Sequence, residues 1–120
     1  MIVIFSLCLV ETVKNHYETI RKYARETGES ICSCGWLLDI ARCIYTLRNN
    51  NIISKTQAGI WALENQVFQN GETLTRAIEI CQHPLVFKNR DDVKRWLSEL
   101  GSMVQQYADV LERELLLYRD

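Results

Sequence analysis

Apolar residues recur at every third or fourth position along almost the whole of this chain, and a single proline, Pro84, interrupts them. That period is helical, because positions i, i+3, i+4 and i+7 share one face of a helix, and no stretch sustains the two-residue alternation of a half-buried strand. Val10, Val13, Tyr17, Ile20 and Ala24 lie on one stripe that closes at Thr27-Gly28, where glycine suits a helix C-terminus. Leu37, Ile40, Ala41, Ile44 and Leu47 form a second stripe, ended by Arg48 and a run of asparagines. A third helix starts at Ser54 and breaks near Asn70-Gly71. A fourth carries Leu74, Ala77, Ile78 and Cys81, and it stops at His83-Pro84 because proline disfavours the helical conformation in the residue before it. The last begins at Asn89 or Asp91 and runs through Trp96, Leu100, Val104, Tyr107 and Leu111 to Leu115, some 25 residues or about 40 Å. Only residues 2–7 are strand-like. The expectation is an all-α fold, an antiparallel bundle of four to five helices forming a single domain over residues 1–120.

Composition narrows the function classes. A net charge of -1, with 24% of residues charged, provides no basic surface for nucleic acid. The apolar start M-I-V-I-F-S-L-C-L-V lacks a basic flank and falls short of the ~20 residues of a membrane span, so it is expected to pack, and no membrane partner is implied. Cys8, Cys32, Cys34, Cys43 and Cys81 are odd in number and lack the C-x-x-C spacing of zinc sites. A cytoplasmic chain with reduced, structural thiols and no bound metal is expected.

Several apparent motifs dissolve on inspection. Neither His16 nor His83 has a local serine or cysteine partner for nucleophilic catalysis, and Cys81-Gln82-His83 reads as a core cysteine beside a helix C-terminal histidine. Gly101-Ser102 and Asp109 lie within a helical stripe, whereas metal-assisted nucleotidyl transfer needs paired carboxylates on a strand. Glu112 and Glu114 point to different sides of a helix and read as a solvated face. No catalytic residue is assigned.

Lys55 stands apart. Ser54 and Gln57 have capping-box spacing, which makes Lys55 the first residue of the third helix, where a cation meets the positive end of the helix dipole at a cost of a few tenths of a kcal/mol. Free N–H groups at a helix start bind anions, and a lysine beside them supplies a point charge suited to phosphate. Arg42 and Thr46 are four apart on the second helix, and the connection through residues 49–51 can bring their shared face toward Lys55.

The order of these residues carries a resemblance. The run L-L-D-I-A-R-C-I-Y-T-L-R-N-N-N-I-I-S-K-T-Q-A-G-I-W-A-L-E, residues 37–64, is similar to the helical C-terminal domain of aminoglycoside adenylyltransferases, the streptomycin and spectinomycin resistance enzymes. The shared pattern is L-x-x-x-R-x-x-Y, a variable turn, then I-x-S-K-x-x-A-x-x-W-A, and the similarity extends from Gly28 onward. In that family an N-terminal nucleotidyltransferase domain holds Mg²⁺ and ATP, and the helical domain closes the cleft against nucleotide and antibiotic. The resemblance implies that Lys55 contacts the nucleotide phosphates, that Thr46 supplies a hydroxyl near them, and that Arg42 is structural. Lys55 in the isolated chain would then lack its counter-charge. The acidic residues that usually precede the second helix are replaced by Ile31-Cys32-Ser33-Cys34, leaving Glu29 as the nearest carboxylate for the aminoglycoside, and a family aromatic near the end of the fourth helix is Cys81.

The glycine-serine loop and metal carboxylates of the catalytic domain do not fit in the 35 residues before Trp36. ATP with Mg²⁺ is therefore expected only with a nucleotidyltransferase domain, and transfer by this chain alone is not. The other reading is a stand-alone helical interaction module that partners a separate minimal nucleotidyltransferase chain. A ribonuclease role is not expected, because no histidine follows Arg42 or Arg48 at the spacing of the arginine–histidine motif that some such bundles carry. Either reading leaves cleft-lining surface exposed, from which a homodimer through helices one or two is expected.

Overall fold

The computed structural model describes residues 2–24 and 31–118, apart from the side chains of residues 2–8 and 32. All regular structure among the described residues is helical: α1 (Ile2–Tyr23), α2 (Gly35–Asn49), α3 (Lys55–Glu64), α4 (Gly71–Gln82), α5 (Pro84–Phe87), α6 (Asp91–Ser98) and α7 (Leu100–Leu116), with a 3-10 turn at Ile31–Cys34 before α2. The all-α expectation holds, and the described residues form seven α-helices rather than four to five.

One segment differs in type, and two places add helices. Residues 2–7, strand-like by composition, continue α1 as helix, because a short apolar run cannot declare its own period. Pro84 starts a new turn at its favoured N1 position, forming the four-residue α5. The expected single last helix is split at Glu99, whose backbone (φ -96°, ψ -2°) stays in the right-handed region but lies well off regular α-helix angles. Val93 and Leu97 on α6 and Leu100, Val104 and Leu111 on α7 are all buried, so the apolar stripe crosses the break in register and conceals it from a periodicity argument. The expected end of α1 at Thr27-Gly28 lies outside the described residues; α1 itself ends at Tyr23.

α2 is the centre of the core. It packs against α1, α3, α4 and α7, and its Leu37, Ile40, Ala41 and Ile44 are fully buried. Each such Leu or Ile contributes about 1.5–3 kcal/mol relative to exposure. α2 ends where Asn50 adopts the left-handed conformation (φ 51°) and returns its N–H to the Thr46 carbonyl at 2.8 Å. Asparagine is one of the few side chains that tolerates this conformation, which explains why the asparagine run terminates the helix. α3 crosses α2 and α4 at Gly59, where a Cβ would come within 2.9 Å of Leu38 Cδ2 and 3.0 Å of Ile78 Cδ1. This close approach fixes the start of α3 over the N-terminal half of α2.

Candidate functional site

The N-terminus of α3 is built by the capping box read from the sequence. The Gln57 N–H donates to Ser54 Oγ at 3.2 Å, and the Ser54 N–H donates to Gln57 Oε1 at 3.3 Å. Lys55 follows as the first helical residue, with its side chain 46% exposed.

Its ammonium is not free. Lys55 Nζ lies 3.2 Å from Oδ1 of Asp39, a buried carboxylate on α2. The same Oδ1 is 3.3 Å from the Arg42 guanidinium, and Oδ2 is 3.8 Å from His16 Nε2 on α1. The lysine expected to lack a counter-charge therefore has one within the fold. The energetic order is plain: a cation at a helix start costs a few tenths of a kcal/mol, whereas a buried carboxylate stripped of its partners costs several. The first turn of α2 also reaches this point, since a Cβ on Gly35 would stand 3.8 Å from Lys55 Nζ.

Asp39 is the site residue that the sequence reading missed. Its signals were a carboxylate set inside the apolar run Leu37–Leu38 to Ile40–Ala41 and an arginine three positions later, the spacing of a helical ion pair. Arg42 joins two neighbourhoods. It pairs with Asp39, and it lines a cleft of about 200 Å³ between α1 and α2 together with Thr46, Val13, His16 and Ile52. Thr46 is buried on the wall of that cleft, and Lys55 is not among the cleft's lining residues. Arg42 thus shares a cleft with Thr46 and a carboxylate, Asp39, with Lys55. Glu29, the expected aminoglycoside contact, lies outside the described residues.

Two carboxylates on α7 correct the reading of a solvated face. Glu112 is half exposed and pairs with Arg21 at 3.1 Å, but Glu114 is buried and accepts two hydrogen bonds from Arg48, at 3.0 and 3.1 Å. Asp109 also pairs with Arg21, so this segment serves to join α1 and α7. Among the described residues there is no group of three or more His, Cys, Asp or Glu that could hold a metal ion. Nor, among the described residues, is any helix long and apolar enough to cross a membrane.

A known family accounts for most of the chain: the family described as "aminoglycoside adenylyltransferase, C-terminal domain" matches residues 6–112. The chain belongs to this family. The match covers most of α1 and all of α2 to α6, together with the greater part of α7. No curated protein and no solved structure matches the chain. As an aminoglycoside adenylyltransferase C-terminal domain, it combines the capped lysine at the start of α3 with a carboxylate that holds that lysine from beneath.

Proposed function

We propose that this chain is the substrate-side helical domain of an aminoglycoside adenylyltransferase-like protein, and that Lys55 is its contact to the nucleotide phosphates. The observation that supports this most is the half-exposed Lys55 ammonium at the capped start of α3. An ammonium has three N–H donors; with one directed to Asp39, the exposed remainder can meet a phosphate oxygen, aided by the unpaired N–H groups of the helix start.

Asp39 then has a positioning role. It holds the Lys55 side chain near one place before ligand arrives, which lowers the conformational cost of capture. It also discounts the positive charge, so that an anion is held less tightly than a lysine without a counter-charge would hold it. Thr46 contributes from the cleft wall through Arg42, and Glu29 is the candidate for the amines of the aminoglycoside.

In this reading these residues supply phosphate contacts and not the ligands of Mg²⁺. ATP with Mg²⁺ therefore belongs to a nucleotidyltransferase domain acting beside this one, in the same polypeptide or in another, and transfer by these 120 residues alone is not expected. Ile52 and Ile60, 62% and 42% exposed on either side of Lys55 in the sequence, offer apolar surface to that domain. Adenylyl transfer reconstituted with such a domain should fall by roughly 10²-fold or more in Lys55→Ala, the order of loss seen when one charge-stabilising donor is removed. Unchanged transfer would exclude Lys55 from the site.

A further inference from the structure

Asp39 is approached from three sides by basic groups of different kinds. Arg42 from its own helix and Lys55 from α3 both reach Oδ1, at 3.3 and 3.2 Å, while His16 from α1 stands 3.8 Å from Oδ2. Asp39 is buried, whereas the His16 side chain is 38% exposed and lines the cleft between α1 and α2 with Arg42 and Thr46. The imidazole can therefore exchange protons with solvent. Arginine and lysine ordinarily carry their charge throughout the neutral range, but histidine changes charge between about pH 5 and 8. One buried carboxylate thus faces two permanent cations and a switchable one.

We propose that His16 competes with Lys55 for Asp39, so that protonation of the imidazole loosens the lysine's ion pair and frees its ammonium for an anion. The competition stands on the geometry of the cluster; only its consequence for anion capture rests on the phosphate-contact reading. While His16 is neutral, Asp39 answers Lys55 and Arg42 and discounts their charge. Once His16 gains a proton, a third positive charge meets the same carboxylate at its other oxygen, and the cations repel one another. The hold on Lys55 weakens, and an arriving anion meets a cluster one charge more positive. Anion affinity is therefore highest below the pH at which His16 titrates and falls as pH rises through it. By linkage, a bound anion raises that pH.

The other ionisable groups near the cluster are separable from His16. Cys43 on α2 is pushed up to about 12 by burial and then by Asp39, so it stays neutral in this range. Cys81 on α4 interacts electrostatically with both Lys55 and Asp39, and any titration of its thiol would persist without the histidine. On α7, which also packs on α1, Asp109 and Glu112 are paired with Arg21.

The test follows the Lys55 side-chain NMR signals and the His16 ring signals between about pH 5 and 8 in the native chain, His16→Gln and Asp39→Asn. Each is measured without anion and with sulfate, whose charge is constant over this range. Without anion, the native Lys55 signals should inflect at the pH where the His16 ring titrates, and both substitutions should remove the inflection. Lys55→Ala should raise the pH of the ring titration, because the competing cation is gone; this arm does not depend on the folding of His16→Gln. Sulfate affinity should rise roughly three- to tenfold from about pH 8 to about pH 5.5 in the native chain and stay level in His16→Gln. Lys55 signals that ignore the His16 titration would overturn the proposal, as would an inflection kept in His16→Gln, a ring titration unmoved in Lys55→Ala, or sulfate bound equally at both pH values. Sulfate bound at neither pH, with the inflection present, would uphold the competition and remove the phosphate-contact reading instead.

Discussion

Among the described residues two carboxylates are buried, Asp39 and Glu114, and their partners treat them differently. Glu114 on α7 receives both arms of the Arg48 guanidinium, at 3.0 and 3.1 Å, and the same guanidinium lies 5.7 Å from the centre of the Trp61 ring. Trp61 meets Tyr45 edge to face, with ring centres 5.1 Å apart. Every group in this cluster faces another, and it ties α2, α3 and α7 together. Asp39 is instead divided among three weaker contacts, to Lys55, Arg42 and His16 at 3.2, 3.3 and 3.8 Å. A bidentate pair with a flanking ring is a clamp. A carboxylate shared among several cations leaves each of them donors to spare, and such an arrangement can hold a second anion.

The largest consequence of this difference should be seen at the clamp. Arg48→Met leaves Glu114 buried with a charge and no fork to meet it, and should cost about 3 kcal/mol in urea unfolding. Glu114 also holds the Arg48 pKa above its ordinary value, chiefly through their hydrogen bonds. A cost below about 0.5 kcal/mol would reduce the pair to an ordinary surface bridge and erase the contrast.

Next in size is Lys55→Glu. An acid suits the first turn of a helix and would gain a few tenths of a kcal/mol if Lys55 faced only solvent. Because Asp39 lies beneath it, the change should instead destabilise by about 2 kcal/mol, moderated by the Arg42 contact that remains. Combining Lys55→Ala with Arg42→Met should cost more than the two changes separately, since each cation covers for the other. A neutral or stabilising Lys55→Glu would dissolve the Asp39 cluster.

The element boundaries that the sequence revealed are those written in local chemistry. Ser54 and Gln57 announced α3, the asparagines announced the end of α2, and Pro84 marked the end of α4. The split at Glu99 left no such mark, because the apolar stripe continues across it. The site was legible only in part for a related reason. Lys55 could be singled out because it violates a local rule, but the compensating group, Asp39, lies sixteen positions earlier on another helix, and its burial depends on how α1, α2 and α3 pack. Glu114 was misread similarly: its alternation with Glu112 described α7 alone, and Arg48 comes from α2.

A smaller effect should appear at alkaline pH. Burial, followed by Asp39, pushes Cys43 up to about 12, and burial pushes Tyr107 up to about 12. Both groups stay protonated in the folded chain while the unfolded chain ionises near the ordinary values of 9.0 and 10.0. Their contribution to stability is therefore fully present below about pH 9 and is lost as pH rises toward 12, by about 1–2 kcal/mol at pH 10. Asp39→Asn should shrink the Cys43 share and leave that of Tyr107 in place, which separates the two regions. Equal losses in both proteins would place Cys43 beyond the reach of Asp39.

The most direct measurement is an NMR titration of the chain with tripolyphosphate, comparing the native sequence with Asp39→Asn and Lys55→Ala. If Lys55 is shared between a buried carboxylate and a phosphate, the amides of Ser54 to Gln57 should shift on titration in the native chain. They should shift at lower ligand concentration in Asp39→Asn, where the competing carboxylate charge is gone, and should not respond in Lys55→Ala. The same titration curve in all three proteins would contradict the account, leaving Lys55 as a structural partner of Asp39 alone.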